Sequence, residues 1–242
     1  MNGEIFRKKN AARLAVLVDP DKCTGAHTRT LLEISLSCRV DYFFVGGSLI
    51  TGNTFDDTVT QLKQQKEAPV ILFPGSHYQL SAQADALLML SLVSGRNAEY
   101  LIGQHVTAAP RIRQMKLPVI PTGYILIDGG NTPATAYITQ TLPIPRDKPD
   151  IAAATALAAE MLGMQVIYLE AGSGARATVS AEMIQAVKEQ VQLPVIVGGG
   201  IRTPEDAERI SAAGADVIVV GNVLEKNPET LLEISLAVHQ SN

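Results

Sequence analysis

The sequence lacks a cysteine framework, an excess of either charge and any apolar run of membrane length, and each absence closes a class of function. Of 242 residues two are cysteine, Cys23 and Cys38, at a separation that fits neither metal-ligand nor redox spacing. They read as reduced thiols of a cytosolic protein. Lys and Arg number 20 against 24 Asp and Glu, a net charge of -4 without a basic tract, so nothing favours nucleic acid. In the N-terminal MNGEIFRKKNAARLAVLV, charges crowd a short apolar stretch that gives way at once to DPDK. That resembles neither a secretory signal nor a membrane span. His27, His77, His105 and His239 show no metal spacing and read as ordinary helix or loop residues. No linker or shift of composition divides the chain, so 1–242 reads as one domain, 46% hydrophobic and long enough to bury a full core.

What the chain does have is glycine at the ends of apolar runs. Its last quarter, PVIVGGGIRTPEDAERISAAGADVIVVGN, lays down a β-branched run at Val195, Ile196 and Val197, then Gly198, Gly199 and Gly200. Glycines there let the backbone approach an anion with its amides unobstructed. Thr203 and Pro204 follow as an N-cap and a first helical residue, aiming the positive end of a helix dipole into the same space. Val217 to Val220 repeat the run, and Gly221-Asn222 repeat the turn. Two such turns near the C-terminus are where a (β/α)₈ barrel places a phosphate site. The plainer alternative is two tight turns of any α/β protein.

Eight apolar runs predict strands: Leu14–Val18, Tyr42–Val45, Val70–Phe73, Ala86–Leu90, Val119–Leu126 (interrupted by Thr122-Gly123), Val166–Leu169, Val195–Val197 and Val217–Val220. Helical patterns at Ala26–Ser37, Thr54–Gln65, Ala152–Leu162, Ala181–Gln190 and Pro204–Ala213 fall between them, which predicts a parallel α/β barrel. The barrel is a modified one. Between the third and fourth runs stand only the twelve residues PGSHYQLSAQAD, tight for turn, helix and turn, so the third helix is expected to be replaced by a short or extended segment. The opening left beside strands three and four would admit a long apolar ligand. Between runs five and six, IDGGNTPATAYITQTLPIPRDKPD is long and rich in Pro and Thr, and is expected to act as a lid or to pack on a neighbour.

The candidate residues sit at the C-terminal ends of these strands. Asp19 and Asp21 flank Pro20, a source of hard oxygen ligands for Mg²⁺ and equally a common turn. VGGS offers Gly46, Gly47 and the Ser48 hydroxyl after strand two. Tyr168 and Glu170, two apart in YLEAGSGA, share one face of strand six and point into the barrel mouth. A glutamate there needs a task or a partner, and the alternative to a catalytic Glu170 is an ion pair with Lys22 or Arg202. Gly172, Ser173 and Gly174 make a further anion-binding turn.

Taken in order, DPDK, VGGSLITGNTFD, FPGS, PTGYILIDGG, YLEAGSGA, GGGIR and GN resemble the geranylgeranylglyceryl phosphate synthase family with its bacterial heptaprenylglyceryl phosphate relatives, over nearly the whole chain. YLEAGSGA and NTPATAYI look like the second of that family's two groups. The resemblance implies a Mg²⁺-dependent prenyltransferase that joins sn-glycerol-1-phosphate to a polyprenyl diphosphate by an ether bond. It implies Asp19 and Ser48 for Mg²⁺ with the diphosphate. For sn-glycerol-1-phosphate it implies Tyr168, Glu170, Ala171, Gly172, Ser173, Gly174, Gly199, Gly200, Gly221 and Asn222, with Glu170 as general base and Tyr168 orienting the acceptor. One position departs: Leu17 stands where the bacillar branch carries lysine, and Lys22 and Arg202 are alternative cations. Leu72, Phe73, Leu88, Leu90 and the region of Tyr124 are expected to line a prenyl slot. The resemblance further implies a cytoplasmic homo-oligomer, dimer or hexamer, with contacts through apolar helices and SGRNAEYLIGQ, and at most peripheral membrane contact through the lipid product. Two other readings remain: an isomerase or aldolase of a sugar phosphate on the same kind of barrel, and a non-catalytic phosphoprenyl binder.

Overall fold

Short β-branched and aromatic runs, each followed by turn residues, pair edge to edge in chain order. In the computed structural model, which describes residues 1–8, 10–23, 25–64 and 68–240, eight parallel strands close into a barrel. They are β1 (Arg13–Val18), β2 (Tyr42–Val45), β3 (Val70–Leu72), β4 (Ala86–Leu92), β5 (Val119–Leu126), β6 (Val166–Glu170), β7 (Val195–Gly198) and β8 (Val217–Val220). β1 pairs with β8 to complete the ring, Ala15 opposite Val219.

The period of two along each strand makes two apolar layers. Ala15, Phe44, Ile71, Leu88, Ile120, Tyr168, Ile196 and Val219 point inward and fill the barrel. Phe6, from a short 3₁₀ turn at Gly3–Phe6, closes the end where the strands begin, its ring edge-on to Tyr42 at 5.1 Å. Leu14, Val16, Phe43, Val45, Leu169 and Val197 point outward against the helices.

The helices are α1 (Gly25–Ser35), α2 (Phe55–Gln64), α3 (Gln104–Met115), α4 (Ala134–Thr139), α5 (Pro149–Met161), α6 (Ala181–Gln190), α7 (Pro204–Ala212), α8 (Asn222–Lys226) and α9 (Thr230–Gln240). Local chemistry sets several starts. The Thr203 hydroxyl accepts from the Asp206 amide at 3.3 Å and Pro204 opens α7, as the sequence predicts. Ser180 caps α6 in the same way. Gln65, the expected end of α2, lies outside the described residues.

Three departures position the site. Residues 73–85 form turns and bends with no helix, so the wall beside β3 and β4 is thin, as the short spacing predicts. Gln79 anchors this segment: its side chain accepts from the Gly75 amide at 3.0 Å and donates to the Gly47 carbonyl at 2.8 Å. The β5 strand is continuous across Thr122-Gly123, correcting the expected interruption. A Cβ on Gly123 would stand 2.9 Å from the Ala159 Cβ, so this glycine lets the alanine-rich α5 lie directly on the strand. Finally, α3 after β4 has a proline, Pro110, inside it and begins from a π-helical turn at Glu99–Gly103.

Candidate active site

The C-terminal ends of the strands enclose a cavity of about 320 Å³ that is polar on one side and apolar on the other. On the polar side three turns converge. Ser173 and Gly174 follow β6, Gly199 and Gly200 follow β7, and Gly221 and Asn222 follow β8, and all six line the cavity. Gly174, Gly199 and Gly200 have φ of 72°, 89° and 74°, in the left-handed region that favours glycine. The Ser173 hydroxyl donates to the Asn222 side-chain oxygen at 3.0 Å, tying the first turn to the third. Glycine turns that converge on one cavity in this way can form an anion cradle.

The triple glycine also makes room for two side chains. A Cβ on Gly198 would stand 2.5 Å from the Tyr168 hydroxyl, and one on Gly199 would stand 2.5 Å from Glu170 Oε1. Glu170 is 6% exposed, and its Oε1 accepts from the Gly172 amide at 2.6 Å. Burial pushes its pKa up to about 7, against the opposing pull of the Gly172 amide and the Tyr168 hydroxyl. Among the described residues no cation balances it. Lys22 bonds instead to Asp19 and Glu225, and the Arg202 guanidinium to the Ala175 carbonyl, so the ion-pair reading of Glu170 is not what the structure shows. The Tyr168 hydroxyl is fully buried without a well-directed hydrogen-bond partner, and burial followed by the charge of Glu170 pushes its pKa well up. A neutral donor and a carboxylate near neutrality thus share the floor of the polar side.

Opposite the cradle stand Asp19 and Ser48. Asp19 is held beside the β2 turn, where a Cβ on Gly47 would be 3.3 Å from its carboxylate. Its Oδ2 lies 3.2 Å from Lys22 Nζ, and Lys22 is 3.3 Å from Glu225 of α8. Among the described residues there is no cluster of three or more metal-ligating side chains. One carboxylate and one hydroxyl on the cavity wall are donor types that would suit a hard cation such as Mg²⁺. Asp21 points elsewhere. Its carboxylate accepts from the Thr51 and Gly52 amides at 2.7 and 3.0 Å, clamping the β2–α2 loop to the β1 turn, and these bonds, Thr51 first, lower its pKa. Leu17 flanks Gly221, whose added Cβ would meet the Leu17 Cβ at 3.3 Å, so this side of the cradle is apolar.

The apolar side follows the gap left by the absent helix. Phe73, Leu88, Leu90 and Tyr124 line it, with Ala108 and Ile112 of α3 behind them. Leu72 does not: it faces outward into the layer under the helices, because strand alternation puts it opposite Phe73. The rings of Phe73, Tyr124 and Tyr168 meet where the two sides join, with centroids 5.0 to 6.0 Å apart. The β5–β6 connection covers this junction. Its helix α4 contributes Ala134, Thr135, Ile138 and Thr139 to the cavity, and the Thr135 and Ser48 hydroxyls are 2.9 Å apart.

Of the residues singled out in the sequence, Asp19, Ser48, Tyr168, Glu170, Ser173, Gly174, Gly199, Gly200, Gly221 and Asn222 come together around one cavity. Ala171 and Gly172 stand behind its wall. The Ala171 amide donates to the Gly198 carbonyl at 3.0 Å and the Gly172 amide to Glu170, so they hold the Glu170 carboxylate in place. His77 and His105, read as ordinary, line the apolar side. His77 Nδ1 lies 2.6 Å from Gln104 Oε1 and His105 Nε2 lies 2.9 Å from the Leu90 carbonyl. Thr135 carried no local signal.

A family model described as the PcrB family matches residues 6–239. The chain is similar to the geranylgeranylglyceryl phosphate synthase of Spirosoma linguale, 50% identical over 237 residues that cover 98% of this chain and 95% of that one. It is 52% identical over 239 residues to that of Chitinophaga pinensis, with shares of 98% and 95%. Among solved structures it resembles (S)-3-O-geranylgeranylglyceryl phosphate synthase from Thermoplasma acidophilum in complex with its substrate sn-glycerol-1-phosphate. That match has a TM-score of 0.89 and 35% identity over 95% of this chain and 94% of the other.

Proposed function

The chain belongs to the PcrB family, and from that membership and the two-sided cavity we propose that it is a prenyltransferase joining the C3 hydroxyl of sn-glycerol-1-phosphate to geranylgeranyl diphosphate, or a similar polyprenyl diphosphate, through an ether bond. One observation carries the reading. A buried carboxylate with a pKa of about 7 stands between a glycine-built anion cradle and an apolar slot. An isomerase or aldolase of a sugar phosphate has use for the cradle and none for the slot. A passive phosphoprenyl binder has no need of the base.

The acceptor phosphate rests on the amides of the Gly174, Gly200 and Asn222 turns, which leaves its glycerol end at Tyr168 and Glu170. Tyr168 donates to a glycerol oxygen and fixes the angle of approach. The C3 oxygen bonds to the allylic C1 of the donor, the bond from C1 to the diphosphate oxygen breaks with its electron pair on the diphosphate, and the hydroxyl proton passes to Glu170. Asp19, with the Ser48 hydroxyl on the same cavity wall, would hold Mg²⁺, which would supply Lewis-acid stabilisation of the charge that grows on the leaving diphosphate. Lys22, held above its ordinary pKa because Glu225 and Asp19 outweigh the burial that opposes its charge, adds a fixed cation to that side. The aromatic faces of Phe73, Tyr124 and Tyr168 surround the electron-poor carbon. Holding both substrates converts a collision into a local displacement.

The prenyl tail occupies the slot along β4 and α3, each buried CH₂ contributing about 0.8 kcal/mol. The protein works in the cytoplasm, where its two unbonded cysteines stay reduced. Among the described residues no helix is long and apolar enough to cross a membrane. The test is an incubation with sn-glycerol-1-phosphate and polyprenyl diphosphates of graded length, with Mg²⁺ or with excess chelator. A prenylglyceryl phosphate ether should form with Mg²⁺ alone. Full activity in chelator would remove the metal from the account, and no ether with any donor would remove the reaction.

A further inference from the structure

We infer that Thr135 is a positioning residue that latches the lid over the reacting atoms, an inference that rests on the prenyltransfer reading above. The lid is fixed firmly on the acceptor side. The Gly129 carbonyl accepts from the Arg176 and Ala177 amides at 2.9 and 3.1 Å, and Arg146 donates to the Thr178 carbonyl at 2.6 Å. Pro133 fills the space over Gly172, where an added Cβ would come within 2.5 Å of it. Asn97 holds the far end of α4 by donating to the Thr139 carbonyl at 2.7 Å. Toward the β1 and β2 turns, among the described residues, the lid makes one hydrogen bond, between Thr135 Oγ1 and Ser48 Oγ at 2.9 Å.

Both hydroxyls line the same cavity as the rings of Phe73, Tyr124 and Tyr168. Ser48 has one hydroxyl proton and two lone pairs. When the proton is directed at Thr135, the lone pairs face the donor side beside Asp19. Without Thr135 the proton is free to turn, and the seam between lid and β2 turn opens to water. In ether formation the acceptor's C3 oxygen bonds to C1 and its proton goes to Glu170. In the leak that an open seam allows, the oxygen of water bonds to C1, the diphosphate leaves with the same electron pair, and the proton passes to solvent, giving a prenol.

Thr135→Ala and Thr135→Ser are compared with wild type on sn-glycerol-1-phosphate and geranylgeranyl diphosphate, with ether and prenol both counted by mass spectrometry. Losing the bond to Ser48, together with the Thr135 contact to the Tyr124 hydroxyl, predicts a rise of about five- to tenfold in the KM for the diphosphate in Thr135→Ala. The prenol share should rise above wild type, while the acceptor KM holds because the cradle and the lid's backbone bonds are intact. Thr135→Ser, which keeps the hydroxyl, should match wild type on every count. Unchanged KM and partition in Thr135→Ala, or a shift in Thr135→Ser as large as in Thr135→Ala, would overturn the latch. A wild type that makes no ether would overturn the prenyltransfer reading instead. Calorimetric affinity for geranylgeranyl diphosphate would then still decide the latch, unchanged affinity in Thr135→Ala counting against it.

Discussion

Glu170 joins a chemical role to a stability cost. Burial raises its pKa from 4.5 to about 7, so between those values the folded chain holds a proton that the unfolded chain has lost. Its contribution to stability is therefore fully present below pH 4.5, falls as the pH climbs through about 7, and stays lost above. Glu170→Gln keeps the acceptor oxygen for the Gly172 amide and removes the buried charge. Thermal denaturation should find the variant more stable than wild type at pH 8, by up to about 3 kcal/mol from the size of the shift, and equal to it near pH 4. Equal stability at both values would mean that the carboxylate is not held as described. The same group sets the pH profile: kcat/KM of wild type should rise with pH through about 7 as the base ionises. Tyr168→Phe, which loses orientation alone, should slow the reaction less than Glu170→Gln.

At the scale of elements, the absent third helix is what turns a phosphate-binding barrel into one that can hold a chain of methylenes. Ala108, on the α3 wall of the slot, tests this. Ala108→Trp should shorten the longest donor accepted, each methylene no longer buried weakening binding by about 0.8 kcal/mol, while the acceptor KM stays level. A chain-length series unmoved by the substitution would place the tail elsewhere. Much of this architecture is legible in the sequence, because buried parallel strands are β-branched runs and their turns need glycine. The twelve residues between the third and fourth apolar runs betray the missing helix by length alone. α3 is harder to read, since Pro110 and the π-helical turn before it break the usual pattern. Tyr168 and Glu170 are legible from their spacing, but the room that Gly198 and Gly199 leave for them is a contact across two strands. Thr135 meets Ser48 across 87 positions of chain, and no local pattern encodes that.

At the scale of the whole molecule, several large apolar side chains remain uncovered. Met161 and Leu162 at the end of α5 are 77% and 75% exposed, and Leu142 in the lid connection is 89% exposed. The homo-oligomer, dimer or hexamer, that the resemblance implies would cover part of this surface. Light scattering at micromolar concentration should give a mass that is a multiple of 25.8 kDa, and a monomer would contradict the assembly. In the proposed reaction one buried carboxylate between cradle and slot takes the acceptor's proton as the ether forms. Its most direct measurement is the rate of ether formation from sn-glycerol-1-phosphate and geranylgeranyl diphosphate with Mg²⁺ at pH 8, in wild type and in Glu170→Gln, beside the acceptor affinity of each. Wild type should give the ether, and the variant should lose about 10²–10⁴-fold in rate with nearly unchanged acceptor affinity. Equal rates in the two proteins would contradict proton transfer to Glu170.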